Sequence, residues 1–177
     1  GPSPSTDQNF VGVKLGDVNN SWNPAVLRTT APDDSIHFVI EDISALPGSM
    51  VSIPVRVRDF DAINGYQYTM EWDPSVLKFH SVNSKAIDAI YGSQEAEYGL
   101  LTSAWVDMAG QGVSLSDGTV AFEMVFEVVG GWNSQTSFEI SSGLTPVQAI
   151  DDLGTMMGIG TESHDIHVGA ATSAVDP

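Results

Sequence analysis

Short stretches of alternating apolar and polar residues dominate the chain between residues 36 and 168. In residues 51–58 the odd positions are branched apolar residues, and the even positions are polar or proline. Residues 66–72 place three aromatic residues and a methionine at every second position, and residues 120–128 alternate in the same way. Because successive side chains of a strand point to opposite faces, this pattern predicts strands with one buried and one exposed face.

Shorter segments predict further strands at residues 36–40, 76–82, 100–106, 137–140 and 165–168. Turn residues separate them, and no segment carries a long helical period. The Asp-Pro-Ser-Val-Leu segment at 73–77 predicts a single helical turn, since aspartate accepts a backbone N–H bond and proline presets φ. About nine strands with two inner faces to fill predict an all-β, two-sheet antiparallel jelly-roll sandwich.

Segments of linker composition flank this region. Residues 1–8 and 169–177 are rich in small residues, polar residues and proline. The chain of 177 residues is long enough for one domain of ordinary size. We therefore expect a sandwich domain at 34–168, preceded by residues 1–33 and followed by a linker at 169–177.

The charge of the chain excludes several kinds of partner. Its 23 acidic and 6 basic residues give a net charge of −17, and no lysine or arginine follows Lys85. A phosphate-binding surface needs clustered cations, so we expect no nucleic-acid partner, and the acidity is typical of a solubility device. No apolar run approaches the roughly 20 residues that cross a bilayer, so no membrane insertion is expected. The absence of cysteine excludes disulfides and thiol chemistry.

No pattern of catalytic or metal-binding residues is present. His164 and His167 would fall on opposite faces of a strand, and the acidic pairs are adjacent residues beside predicted turns. No nucleophile elbow, phosphate loop or dinucleotide motif occurs. We therefore expect no enzyme, no catalytic residue, no metal site and no cofactor.

The order of several motifs resembles the cohesin domain family. A Pro47-Gly48 turn leads into a strand rich in valine, and the Tyr-Gln-Tyr-Thr-Met-Glu-Trp strand ends in Asp-Pro-Ser-Val-Leu. An Asp117-Gly118 turn then introduces the strand that ends in Phe-Glu-Val. The resemblance covers about residues 35–168, and the shared order and spacing make it more specific than any single motif.

The resemblance implies a nine-stranded jelly-roll that binds a dockerin domain. Dockerins are small helical modules that carry calcium, so calcium is expected on the partner and not on this chain. The implied role is the assembly of extracellular or cell-surface complexes, such as the cellulosome built on a scaffoldin for polysaccharide degradation. The expected partner is a dockerin-bearing secreted protein, with polysaccharide association possible through the parent protein.

The resemblance also implies a contact surface on one sheet face. The family's contact positions correspond to the outward-facing residues of three predicted strands in this sequence. These residues are Gln67, Thr69, Glu71, Thr102, Ala104, Val106, Ala121, Glu123 and Val125. The exposed valines among them would suit a contact patch. Gly65 and Gln67 depart from the family, whose dockerin-binding members tend to carry asparagine and aspartate there.

A second resemblance lies upstream, where Gly-Asp-Val-Asn at 16–19 is similar to the calcium loop of dockerin repeats. Asp17, Asn19 and Ser21 occupy the first, third and fifth ligand positions of such a loop. Trp22 stands at the sixth position in place of glycine, and Arg28 at the twelfth cannot ligate calcium. We therefore interpret residues 1–33 as a linker and a dockerin-like tail remnant without calcium.

Two alternatives belong to other functional classes. A carbohydrate-binding module would stack sugars on exposed aromatic residues, for which Trp22, Tyr91, Tyr98 and Trp132 are candidates, whereas Trp72 and Trp105 are predicted to face inward. A structural spacer of a large surface protein would suit the flanking linkers and the acidity.

Overall fold

The computed structural model of the protein describes residues 35–170. Thirteen β strands make up this part of the chain, and a short 3-10 helix lies at Ala96–Tyr98. The strands are β1 Ser35–Ile40, β2 Ile43–Ala45, β3 Met50–Arg58, β4 Ile63–Glu71, β5 Leu77–Ser84, β6 Ile90–Gly92, β7 Leu100–Val106, β8 Val120–Val128, β9 Gln135–Thr136, β10 Glu139–Ser141, β11 Gln148–Asp151, β12 Met156–Ser163 and β13 Ile166–Val168.

The strands form the two layers of a jelly-roll sandwich, as the sequence predicts. The first layer has the order β5-β8-β3-β1, and the second has the order β11-β4-β7-β6, with β10 also paired to β4. Strand β12 joins the layers, because Met156 and Met157 pair with β11 while Gly158–Ser163 pair in parallel with β1. Strands β2, β13 and β9 form a small separate sheet.

The core between the layers is built mainly from aromatic side chains. Phe38 of β1 contacts Tyr66 and Tyr68 of β4, with ring centroids 5.4 and 4.9 Å apart. Trp72 packs edge-on against Phe126 of β8 at 5.2 Å. All five residues are buried, so the predicted inward orientation of Tyr66, Tyr68, Trp72 and Phe126 is confirmed. The burial of each such side chain contributes about 1.5–3 kcal/mol to folding.

Other predictions concern shorter segments. Residues 73–77 form the predicted turn, with the N–H groups of Val76 and Leu77 both donating to the carbonyl of Asp73 at 3.1 Å. Trp72 is buried and Trp105 packs inward against Phe60 and Tyr66. Sequence reasoning missed β2, β6, β9, β11 and β12, which are short, polar or interrupted by glycine.

Several expectations fall on residues that the structure does not describe. The dockerin-like segment with Asp17, Asn19 and Ser21 lies outside residues 35–170, as do Trp22 and the end of the chain from residue 171. The interpretation of residues 1–33 therefore stays a prediction. Between residues 35 and 170, no helix is long and apolar enough to span a membrane.

Candidate partner-binding face

The nine predicted contact residues lie on both layers of the sandwich. Residues 67, 69 and 71 of β4 and 102, 104 and 106 of β7 belong to the second layer, whereas Ala121, Glu123 and Val125 of β8 belong to the first. Since both layers direct alternate residues into one core, their outer faces point in opposite directions. The expectation that all nine share one face is therefore wrong.

Six of the nine residues are brought together on the second layer. Gln67 pairs with Ala104, and Thr69 pairs with Thr102. Glu71 lies next along β4 and pairs with Leu100. The next strands extend this face on both sides, since Ile90 of β6 pairs with Ala104 and Gln148 of β11 pairs with Gln67. The amide of Gln67 donates to the side-chain oxygen of Gln148 at 3.1 Å. Four adjacent strands therefore form one continuous outer face.

A loop covers one half of this outer face. Residues 142–147, between β10 and β11, bury Thr69 completely, and its hydroxyl oxygen accepts the N–H groups of Leu144 and Thr145, each at 3.0 Å. Next to it, the Ser141 hydroxyl donates to the carboxylate of Glu71. The predicted outward exposure of Thr69 is therefore wrong, because the loop occupies the space in front of it.

Ala121 is also completely buried, which corrects the second exposed position. Its carbonyl accepts the N–H groups of Lys85 and Ile87 at 3.1 and 3.2 Å, so the segment that follows β5 runs along this part of β8. Glu123 and Val125 are half-buried on the outer side of the first layer. Neither of these two residues can meet a partner that sits on the second layer.

The part of the second layer that no segment of residues 35–170 covers, which we call the open half, is formed by seven residues: Gly65, Gln67, Ile90, Ala104, Val106, Gln148 and Ile150. It carries an apolar patch in which Ile90 is 79% exposed and Val106 59% exposed. Apolar residues this exposed on neighbouring strands are typical of a protein contact surface.

Two shallow grooves border Val106 in the open half. One, of about 250 Å³, lies between Val106 and Ile150. The other, of about 360 Å³, lies between Val106 and Ile90. Gly65 forms the floor of the first groove, since a Cβ atom there would lie 3.0 Å from the carbonyl oxygen of Trp105 and 3.8 Å from Cγ2 of Ile150. A glycine at this position therefore keeps the first groove open.

Two loops held by aspartate carboxylates extend the apolar patch. Asp107 accepts the N–H groups of Ala109, Gln111 and Gly112 at 2.9–3.1 Å, and these bonds lower the pKa of its carboxyl group. The loop presents Met108, which is 91% exposed.

Asp151 holds a second loop in the same way. Its carboxylate accepts the N–H groups of Leu153 and Thr155, and Leu153 at the tip is exposed. The two loops lie side by side, because a Cβ atom at Gly112 would be 2.9 Å from Cβ of Asp152. Met108 and Leu153 therefore lie at the same end of the sandwich, next to the open half.

The charged residues divide the sandwich into two different sides. The lysines and arginines within residues 35–170 are Arg56, Arg58, Lys78 and Lys85, which lie on β3 and β5 or directly after β5. Each forms an ion pair with an acidic residue, for example Lys85 with Glu123 at 3.3 Å. Strands β4, β6, β7, β10 and β11 contain no lysine or arginine. The open half is therefore an apolar surface on strands without a lysine or arginine.

The aromatic residues proposed as a sugar platform are dispersed. Tyr91 packs its ring against Phe122 at 5.4 Å, and burial raises the pKa of its hydroxyl group. Tyr98 and Trp132 are exposed, but no ring contact joins them in the described part of the chain. Trp22 lies outside it. The described residues thus offer no pair of stacked exposed rings for a sugar.

These features define a class of protein, a two-layer jelly-roll sandwich with a partly apolar sheet face that residues 35–170 leave exposed. The family model described as the cohesin domain matches residues 36–147, which is more than half of the chain. The chain therefore belongs to the cohesin domain family.

Solved structures of cohesins share the fold at low sequence identity. A complex of the OlpA cohesin with a dockerin from Clostridium thermocellum matches with a TM-score of 0.64 and 14% identity, covering 76% of this chain and 99% of that one. The sixth cohesin of scaffoldin B from Acetivibrio cellulolyticus, solved with a dockerin, matches with a TM-score of 0.64, 16% identity and the same coverage. A non-cellulosomal cohesin from the archaeon Archaeoglobus fulgidus matches with a TM-score of 0.62 and 16% identity over 78% of this chain and 94% of that one. Among curated proteins, none matches this sequence.

Proposed function

We propose that the chain binds a dockerin domain of a secreted protein through the open half of the second layer. The observation that carries the proposal is the exposed apolar patch around Ile90 and Val106 on a family member whose solved relatives include complexes with dockerins. In protein interfaces, a few buried apolar anchors supply most of the binding energy. Of the predicted contact residues, Gln67, Ala104 and Val106 belong to this surface, whereas Thr102, opposite Thr69, and Glu71 lie at its covered border.

The module acts as an interaction domain without catalysis. It holds the dockerin-bearing protein in an extracellular or cell-surface complex, with calcium bound by the partner. Association with polysaccharide would come through the domains attached to either protein. Within this proposal, residues 34–168 form the binding domain, and residues 1–33 and 169–177 connect it to its neighbours.

Isothermal titration against the dockerin domains of the source organism tests this function. Val106→Asp should weaken binding at least about tenfold, because a carboxylate buried in an apolar contact loses its hydration without gaining a partner. The matched control is Val125→Asp, the same change on the outer face of the first layer, which should alter the affinity less than about twofold.

Circular dichroism of both variants establishes that they fold. The proposal fails if no dockerin of the set binds. The assignment to the second layer fails if Val125→Asp weakens binding and Val106→Asp leaves it unchanged.

A further inference from the structure

We propose that a buried water molecule is a permanent part of the core and that it links the short edge strand β6 to β4. Its ligands are four hydroxyl groups on the inner side of the second layer, those of Tyr66, Tyr68, Tyr91 and Ser103. The inference does not depend on the proposed function, because it concerns the interior of the sandwich.

The strand register brings these four hydroxyl groups together. Ser103 of β7 pairs with Tyr68 of β4 on one side and with Tyr91 of β6 on the other. Tyr66 lies two residues before Tyr68 on the same side of β4, and the two rings stack at 5.5 Å. The Cβ atoms of directly paired residues are about 4.5–5.5 Å apart, so the three tyrosines stand around one serine.

The small side chain of Ser103 leaves space between the larger rings. Two strand spacings of about 4.8 Å separate β4 from β6, so Tyr68 and Tyr91 stand roughly 10 Å apart. Tyr68 packs on Phe38 at 4.9 Å, and Tyr91 packs on Phe122 at 5.4 Å. Within residues 35–170 no ring contact joins the two tyrosines. The space above the serine therefore has aromatic walls and a hydroxyl group at its base.

All four hydroxyl oxygens are buried and have no hydrogen-bond partner among residues 35–170. Tyr66, Tyr68 and Ser103 are only 4%, 1% and 2% exposed. Burial raises the pKa of all three tyrosines, so their hydroxyl groups stay protonated at neutral pH and can both donate and accept. Buried polar groups in native proteins are bonded to the protein or to ordered water, which makes this cluster a site for water.

One water molecule matches the number of groups. It accepts two hydrogen bonds and donates two, and a buried water typically makes about three bonds to polar groups that lack other partners. The Ser103 hydroxyl lies near Tyr66 and Tyr68, because it partly offsets the rise that burial causes in the pKa of each. It has no such effect on Tyr91, so a bridging molecule is needed to join that hydroxyl to the others.

The bridge gives β6 a second attachment to the sandwich. Strand β6 has three residues and, in the described part of the chain, pairs with β7 alone. Its central residue, Tyr91, is the one that packs into the core. Through the water, the Tyr91 hydroxyl holds β6 to β4, a strand with which β6 does not pair.

A count of buried waters tests the site on the intact chain. Oxygen-17 magnetic relaxation dispersion measures the number of long-lived waters in solution. Ser103→Val should have one fewer than the wild type, because its methyl groups occupy the site and remove one ligand. The matched control is Ser52→Val, the same change at an exposed position of β3, which should leave the number unchanged.

A high-resolution crystal structure of the wild type tests the site without any substitution. It should show a water oxygen within about 3.2 Å of at least three of the four hydroxyl oxygens. Circular dichroism establishes that Ser103→Val folds, and the crystal structure decides the question if that variant does not.

Tyr91→Phe tests the link to β6. It keeps the ring on Phe122 and removes the hydroxyl group, so the amides of residues 90–92 should exchange at least about threefold faster. Tyr98→Phe, at an exposed tyrosine of the 3-10 helix, is the control and should not change their exchange.

Two results would overturn the water site: hydroxyl groups that bond to one another in the crystal with no water between them, or equal numbers of long-lived waters in the wild type and Ser103→Val. Unchanged amide exchange in Tyr91→Phe would overturn the link between β6 and β4.

Discussion

The Thr69 hydroxyl fastens the loop 142–147 to the second layer. Thr69 is one of three polar side chains that are buried in the described residues, and its oxygen accepts two backbone N–H groups of the loop. The alternation along β4 predicts that Thr69 is exposed, whereas in the structure it is a buried hydrogen-bond acceptor. The Thr69 side chain thus helps to hold the loop that covers one half of the face.

Replacing Thr69 with valine tests this attachment. Thr69→Val keeps the shape of the side chain and leaves the N–H groups of Leu144 and Thr145 without an acceptor, which should cost about 1–3 kcal/mol. Thr102→Val is the control, because its hydroxyl makes only a 3.5 Å bond to the carbonyl of Gly92. We expect Thr102→Val to cost less than about 0.5 kcal/mol.

Urea unfolding measures both costs, and hydrogen exchange at residues 144 and 145 measures the opening of the loop. Equal costs for the two variants, with unchanged exchange at these amides, would show that Thr69 does not hold the loop.

Strands and loops contribute differently to the face. Strands β4 and β7 set the position of the apolar patch through their register, while the loop from Asp107 to Gly112 extends it with Met108. The loop has few apolar contacts of its own, and it is held by the hydrogen bonds to the Asp107 carboxylate. Its order should therefore depend on the charge of that group.

The loop should become less ordered in acid. Hydrogen bonds to the carboxylate lower the folded pKa of Asp107 below its unfolded value. A depressed folded pKa means that the stabilisation is complete above the unfolded pKa, about 3.9 for aspartate, and is lost as the pH falls through the folded pKa. We expect increased amide exchange of residues 109–112 below about pH 4.

NMR exchange measurements across this pH range test the expectation. In Asp107→Asn the same amides should exchange faster at neutral pH and show no further acid-induced change. A wild-type loop that stays fully protected through the acid range would exclude this role of the carboxylate.

The molecule as a whole depends on contacts between its two layers. Phe38 of β1 reaches across to Tyr66 and Tyr68 of β4 and also contacts Phe122 of β8 in its own layer. Strand β12 connects the same layers through the backbone. Neither layer has another surface on which to bury its inner face, so the two should unfold together.

Phe38→Ala tests this cooperativity. The loss of a fully buried phenylalanine should destabilise the protein by about 3–5 kcal/mol. Fluorescence of the four tryptophans, which include the buried Trp72, and far-ultraviolet circular dichroism should show one coincident urea transition at a lower midpoint. Two separate transitions would mean that the layers are independently stable. Phe79→Leu, at a half-buried position on β5, is the milder control and should cost less than about 1.5 kcal/mol.

The sequence by itself determined the strands with a strict alternation, their buried sides and the sandwich class. Strands β3, β4 and β8 were predictable because burial of every second residue is a local property of extended backbone. Strand β12 was not, because its glycines at 158 and 160 interrupt the apolar pattern where the strand passes between the layers. The order of the motifs in the chain also allowed the family to be recognised.

Only the tertiary structure decided which outward residues share a surface. Gln67 and Val125 alternate in the same way along their strands, but pairing places them on opposite sides of the sandwich. Thr69 and Ala121 have the positions of exposed residues in the predicted alternation. The loop 142–147 covers Thr69, and Ala121 has no partner in the register of β3 and β8, which shifts at this point. Met108 and Leu153 are far apart in the chain, and adjacent loops bring them to the same end of the sandwich. Alternation specifies a side of a strand, whereas the layer that the strand joins and the loop that covers it depend on long-range contacts.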